Sequence, residues 1–382
     1  MKPSNKPFIP SVQRTSTLIL MALVSIVCIS IALNTQKVLI SETYDLKVRA
    51  ANKMLEAMEY LKSIRMEQGI FVDIENDPNE TGLVGAQFSL TTTDEGDLDA
   101  KLTTLDPNFA AASIELLTRA GIQKGDTVAV LVTGSMPGGN LAILIACHEM
   151  DVYPVVITSV GASQWGANIT DFNWLDMEAY LFEKGFIQTR SIAASIGGRN
   201  DLGRLLSPLG RNIIEESIEK HKIDLIKFGR LAENVAFRME LLENILPIHN
   251  YDGFINVGGG VASLGTTYNH RLLPPGVVGR KDIEIISQSS GIEGVLSQFS
   301  KRGVPVIHIL NIKGLTDQLK IPFAPIPLPK IGDGQLYSIK RYNLLVALFC
   351  FLIVAGMTFA VGYRSHNQIK NRMSEHEPDS VL

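Results

Sequence analysis

Hydrophobic positions along this chain change pattern several times. Thr17 to Asn34 and Tyr342 to Tyr363 are apolar throughout and carry no charge. About 20 such residues make a helix that crosses a bilayer, so each stretch predicts a transmembrane helix. After the first, apolar residues become periodic: Ile40, Tyr44, Ala51, Met54, Met58 and Leu61 alternate four- and three-residue spacings, with Lys47 in the slot between Tyr44 and Ala51. This is an imperfect heptad seam. It predicts an amphipathic stalk helix over 35–68, which either pairs with a second copy through residues 40–61 or lays its stripe on its own domain. Lys47 favours the second arrangement, because a charge in the seam weakens a coiled coil. Residues 69–107 are polar, with turn chemistry at Asn76 to Gly82 and Thr91 to Gly96, and predict an exposed connection or flap.

From Asn108 the pattern alternates between helical periodicity and short β-branched runs. A helix over Phe109–Arg119 precedes the strand Thr127–Thr133, the turn Gly134 to Asn140, a helix over Leu141–Met150 and the strand Tyr153–Thr158. That is a βαβ unit. Helices follow over Asp176–Lys184, Arg211–Lys222, Arg230–Leu246, Ile292–Arg302 and Asn311–Lys320, with strands at Gly253–Val257 and Val304–Leu310. Continuous apolar strands between helices predict an α/β fold: a mostly parallel sheet flanked by helices over 108–320, with one transmembrane helix at each end of the chain. Pro322, Pro325, Pro327 and Pro329 make 321–341 an extended strut. Tails occupy 1–16, which is basic, and 364–382, which is polar.

The formal charge of −4 becomes −7 once the N-terminal tail, +3 from Lys2, Lys6 and Arg14, and the neutral C-terminal tail are set aside. An acidic core argues against nucleic acid as a partner and against bulk attraction to anionic lipid. Cys28 and Cys350 lie in the apolar stretches, which leaves Cys147 alone in the domain and excludes an intradomain disulfide. Lys and Arg are balanced on the two sides of each span, so the charge rule does not fix orientation. The basic tail would also open a cleaved signal, but the apolar run is longer than a usual signal core; the tail resembles an uncleaved export signal and places both termini in the cytoplasm and the core outside.

Three loops carry the candidate chemistry. Gly134-Ser-Met-Pro-Gly-Gly-Asn140 follows a buried strand and opens a helix, an arrangement that suits an anionic ligand. The ligand candidates here are Gly134, Ser135, Gly138, Gly139 and Asn140; Ser163, Gln164 and Asn168 follow the next strand, and Asn256 with Gly258, Gly259 and Gly260 ends a third. Open α/β sheets bind ligands beyond the carboxyl ends of their strands, where these loops would gather. Structural glycines in tight turns explain the same residues equally well. No Walker loop and no G-x-G-x-x-G is present, so no nucleotide cofactor is implied, and Ser135 and Ser163 lie outside any G-x-S-x-G elbow. No metal motif stands out: Asp171, Asp176 and Glu178 lack ligand spacing, and His148 and His308 sit in apolar surroundings that suit packing. Trp165 and Trp174 beside them suit core packing or a cleft wall.

Taken together, the first span, Leu116 to Asn140, Gly161 to Asn168, Val257 to Gly260 and the closing span resemble the poly-gamma-glutamate system protein family, membrane-anchored proteins of bacterial poly-γ-glutamate capsule synthesis and export. The resemblance implies an accessory subunit at the cell membrane. It would handle an anionic polymer or assemble the machinery with other subunits of that system. It supplies no catalytic residues. An extracytoplasmic hydrolase or transferase acting on the polymer is the alternative. A polyanion would need local positive charge, for which Arg190, Arg199, Arg204 and Arg211 are the candidates, although ordinary surface charge accounts for them as well.

Overall fold

The computed structural model describes residues 8–266, 272–289 and 293–374. Lys2, Lys6, His270, the first residue of the helix expected from Ile292 and the tail beyond 374 lie outside them. The chain divides into two units, Ser41–Tyr337 and the flanking pair Met1–Ile40 with Ser338–Leu382.

The larger unit is built on a seven-stranded sheet. β2 (Thr127–Thr133), β3 (Tyr153–Ser159), β6 (Ser191–Ser195), β7 (Asp224–Ile226), β8 (Gly253–Val257), β9 (Gly276–Val278) and β10 (Val306–Ile309) lie in the order β7-β6-β3-β2-β8-β10-β9. All neighbours pair in parallel except the edge strand β9, which is antiparallel to β10. β4 (Asn168–Ile169) and β5 (Phe172–Asn173) form a separate small hairpin. From β2 the chain winds outward through β3, β6 and β7, then returns to the other side of β2 with β8 and β10. The order therefore reverses between β2 and β8, and such switch points open a crevice at the carboxyl ends of the strands.

β2 shows why the sheet is sandwiched. Val128, Val130 and Val132 enter one apolar cluster, Ala129 and Leu131 the opposite one. Both faces are covered, as a continuous β-branched run requires. α2 (Tyr44–Glu67), α4 (Asn108–Arg119) and α5 (Pro137–Glu149) cover the first face. α8 (Leu231–Ile245) and the helix Val295–Lys301 cover the second. α6 (Trp174–Lys184) starts with a capping box from Asn173 and Asp176. α7 (Pro208–Lys220) opens behind Ser207, whose side chain accepts the Gly210 N–H. Trp174 is fully buried, so of the two readings for the tryptophans, packing holds for it.

Three sequence expectations need correction. The helix expected over 35–68 begins only at Tyr44, because β1 (Lys37–Ile40) intervenes; α2 buries Ala51, Met54, Met58 and Leu61 against its own domain, the arrangement that Lys47 favoured. The stripe from Ala51 to Leu61 is thus covered by this chain's own domain, while Ile40 in β1 stays exposed. The polar segment 69–107 is no free flap either. Thr93 N–H donates to Ala162, Gly85 N–H to Trp165, and Asn168 Nδ2 to Ala86, so it is bound to the loop after β3; it also contains a short helix, α3 (Leu98–Thr104). The proline strut, finally, lies along the domain. Ala324 N–H donates to Thr103 Oγ1, and the Pro325 and Pro329 carbonyls accept from Asn79 and Asn108.

In the flanking unit, α1 (Thr15–Asn34) and the helix Leu344–Ser374 are long and apolar enough to cross a membrane. They are exposed along nearly their whole length, with Cys28 the one buried residue of α1. They run antiparallel, since Ser11 N and Oγ both donate to Gln368 Oε1 at 2.9 and 2.8 Å. β1 pairs antiparallel with β11 (Ser338–Arg341), Lys37 opposite Arg341 and Ile40 opposite Ser338.

Candidate functional site

Loops from five strand ends meet in a cleft of about 430 Å³. β2 brings Ser135 and Met136, β3 brings Gly161 and Ser163, β6 brings Gly197 to Arg199 and Asp201, β8 brings Gly259 and Gly260, and β10 brings Asn311 and Lys313. Thr93 to Asp97 and α3 close the remaining side. Each of the three predicted loops thus reaches one cavity, at the switch point of the sheet.

The predicted residues divide by role. Ser135, Ser163, Gly259 and Gly260 line the cleft. The others hold the loops. Gly134 lies so close to the Val160 carbonyl, and Gly138 to that of Thr104, that a Cβ would collide with either. Gly139 faces Val257, and buried Asn140 donates to the Thr133 carbonyl at 2.8 Å. Gly258, at φ +90°, packs its α-carbon on Thr133 Oγ1, a position closed to a side chain. Asn256 donates to the Gly258 carbonyl at 2.8 Å and meets His308 Nδ1 at 3.0 Å beneath the rim. Gln164 Oε1 accepts the Gly96 N–H, and Asn168 is tied to Ala86 and Thr92.

The most informative cleft residue was not among the sequence candidates. Lys101, on α3, is only 4 % exposed. Its Nζ lies 2.9 Å from Ser163 Oγ and 3.7 Å from Met136 Sδ, and donates to the Ser135 carbonyl. Ser163 N–H in turn donates to Ser135 Oγ at 2.9 Å. Among the described residues Lys101 makes no ion pair. Burial pushes its ammonium down to about 8, only partly opposed by the charge of Asp97. A signal for α3 was present: Asp97 caps the helix by accepting the Ala100 N–H at 3.2 Å, and Leu98, Leu102 and Leu105 follow at helical spacing.

Asp201 forms the floor beside β6. It is buried and paired with Arg238 at 2.8 Å, and it accepts from Ser195 Oγ at 2.7 Å and Ser159 Oγ at 3.3 Å. Asn200 and Asp201 both hold positive φ, 56° and 63°. For non-glycine residues that costs about 1–3 kcal/mol each and marks a segment held by its surroundings. Here Asp201's buried pair supplies the hold. The wall thereby stays in one geometry.

The four arginines do not form a patch at the cleft: Arg199 alone lines it. Arg190 meets His221 Nδ1 at 3.1 Å, and Arg211 donates to the Leu206 carbonyl at 2.9 Å. Arg199 and Lys313 line the cleft together with Asp94, Glu95 and Asp97, so its lining carries both signs of charge. No group of three His, Cys, Asp or Glu side chains able to hold a metal occurs among the described residues. Asp176 is engaged by Lys220 and His221, and Glu178 accepts from Ser191 N–H and Oγ. No model of a known protein family matches this chain, nor does any curated protein or solved structure.

Proposed function

We propose that this chain is a membrane-anchored component of a machinery that makes or exports poly-γ-glutamate, and that its cleft receives a carboxylate-bearing γ-glutamyl segment. One observation carries the binding half: a buried lysine with no carboxylate partner among the described residues lines a cleft at the switch point of the sheet, where Ser135, Ser163 and Gly259 also converge. A cation left without an anion inside a protein gains most from an anionic ligand. The sequence resemblance supports the polymer and the neighbouring subunits of its machinery, and the two apolar helices support anchoring at the cell membrane. Both chain ends are then cytoplasmic and the α/β core extracytoplasmic, in line with the basic tail ahead of α1.

The test is titration of full-length protein in nanodiscs with γ-linked oligoglutamate at pH 7, where Lys101 is mostly charged. A charge-assisted hydrogen bond contributes about 1.5–3 kcal/mol, so Lys101→Met weakens binding by about 10- to 100-fold. Equal affinity of wild type and variant overturns the assignment of the cleft. Cleavage of intact cells by external protease within the core checks the topology, and a protected core reverses it. A second reading, a hydrolase or transferase acting on the polymer, is favoured by the contact of Lys101 Nζ with Ser163 Oγ.

A further inference from the structure

We propose that Ser163 and Lys101 are a nucleophile and its general base, and that the cleft opens an amide carbonyl through an acyl-serine intermediate. The inference rests on the reading above for one point only, that the amide is a γ-glutamyl linkage. A general base must lie within about 2.6–3.2 Å of the proton it takes, and Lys101 Nζ is 2.9 Å from Ser163 Oγ.

The groups around Lys101 Nζ accommodate the neutral amine as well as the ammonium. A deprotonated lysine has two N–H bonds and one lone pair. Around Nζ stand two acceptors that cannot donate, the Ser135 carbonyl and Met136 Sδ, and one hydroxyl that can, Ser163. As an ammonium Lys101 donates to all three; once neutral it keeps N–H bonds for the first two and turns its lone pair to the hydroxyl. An ammonium held for structural reasons is normally met by a carboxylate, as Lys47 is met by Glu115 at 2.7 Å. Lys101 has none among the described residues, and its burial favours the neutral form at mildly alkaline pH.

The nucleophile is also positioned. Ser163 N–H is pinned to Ser135 Oγ at 2.9 Å, and the loop turns at Gly166, where a side chain would meet the backbone of Gly134 and Ser135. Among the described residues Ser135 Oγ makes no hydrogen bond besides the one it accepts from Ser163 N–H, and its own hydroxyl hydrogen is left to face a substrate oxygen. In the reaction Lys101 takes the Ser163 proton as Oγ adds to the amide carbon. The C–N bond then breaks, and the departing amine leaves with the proton from the Lys101 ammonium. Water, deprotonated by the regenerated amine, cleaves the ester and restores Ser163; an amine in place of water makes the same step a transfer.

Full-length protein in nanodiscs is treated with a fluorophosphonate and mapped by mass spectrometry, and in parallel incubated with γ-linked oligoglutamate between pH 6 and 10. The expected result is an adduct on Ser163 whose rate of formation rises with pH and levels off above about 8, the value at which Lys101 loses its proton. It is lost in Ser163→Ala and falls at least 100-fold in Lys101→Met, while tryptophan fluorescence shows both variants folded. Absence of adduct and of cleavage across this range overturns the catalytic pair; if the oligomer still binds, the ligand assignment survives. An adduct on Ser163 without binding or cleavage of the oligomer supports the pair and overturns the γ-glutamyl assignment.

Discussion

Two lysines are buried in the α/β unit, and their surroundings are opposites. Lys47, 1 % exposed on α2, gives its three protons to Glu115 at 2.7 Å, Ser41 Oγ at 3.0 Å and the Leu336 carbonyl at 2.9 Å. Burial alone would push the Glu115 carboxyl up; hydrogen bonds from Lys47 and Arg119 outweigh it and hold Glu115 low. Charge, donors and acceptors all balance, and the site joins α2 to α4 and to the chain just before β11. Among the described residues Lys101 hydrogen-bonds only neutral groups, with Asp97 acting on it through space, and it opens on a cleft. The difference teaches how to tell a structural cation from a reactive one. The first is neutralised inside the fold, while the second is left for something the fold does not contain.

The comparison breaks most visibly at Lys47. Removing one partner of a buried ion pair costs about 3–5 kcal/mol, so Lys47→Met lowers the unfolding transition by that amount. Both tryptophans lie in the α/β unit, and their fluorescence reads this transition without interference from the apolar helices. An unchanged transition would mean that Lys47 holds nothing together.

At Lys101 the sign reverses. Its folded value near 8 lies below the ordinary 10.5. Below pH 8 both states are protonated and the fold bears the buried charge. Between 8 and 10.5 the unfolded chain binds more protons, so wild-type stability rises with pH. Lys101→Met removes that rise and stabilises the protein at pH 7 by about 1–3 kcal/mol, at the expense of the activity proposed for the cleft. Destabilisation on the scale of Lys47 would place Lys101 among structural cations.

Glu178 is a carboxyl version of the same case. Fully buried, it is pushed up to about 6 mainly by burial, against hydrogen bonds from Ser191. Its protonation stabilises the fold fully below the ordinary 4.5, and that contribution is lost as pH rises through 6. Glu178→Gln flattens this slope and changes stability near pH 7 by about 1–2 kcal/mol. At the bottom of the scale, Lys124 pairs with Asp151 in open solvent, both more than half exposed. Lys124→Ala leaves the unfolding midpoint where it was, since such pairs are screened.

How much of this was legible in the chain depended on whether the signal was local. β2 and β3 were plain because an unbroken β-branched run declares burial on both faces. β6, Ser-Ile-Ala-Ala-Ser, was invisible: its small residues make room for Thr158 and Asp201, and only those partners explain them. The α2 stripe was legible as apolar, and Lys47 within it argued for packing on its own domain; only the fold showed α4 and α5 on top. Segment 69–107 looked like a flap because it is polar, yet its polar groups are spent on the cleft loops, such as Thr91 Oγ1 on the Asn168 carbonyl at 2.9 Å. Of the predicted site, Ser135, Ser163, Gly259 and Gly260 line the cavity, whereas Gly134, Asn140, Asn168 and Asn256 shape it from behind. A glycine's role depends on what its α-carbon touches, which no spacing records.

The sequence by itself determined two apolar helices and an α/β unit between them, because helix and strand are written in periodicities a few residues long and burial is written in composition. Only the tertiary structure decided which residues meet in the cleft. Lys101 and Ser163 are 62 positions apart, in segments of unrelated pattern. What joins them is the docking of segment 69–107 on the loop after β3, where Thr93 N–H donates to the Ala162 carbonyl and Gln164 N–H to the Asp94 carbonyl.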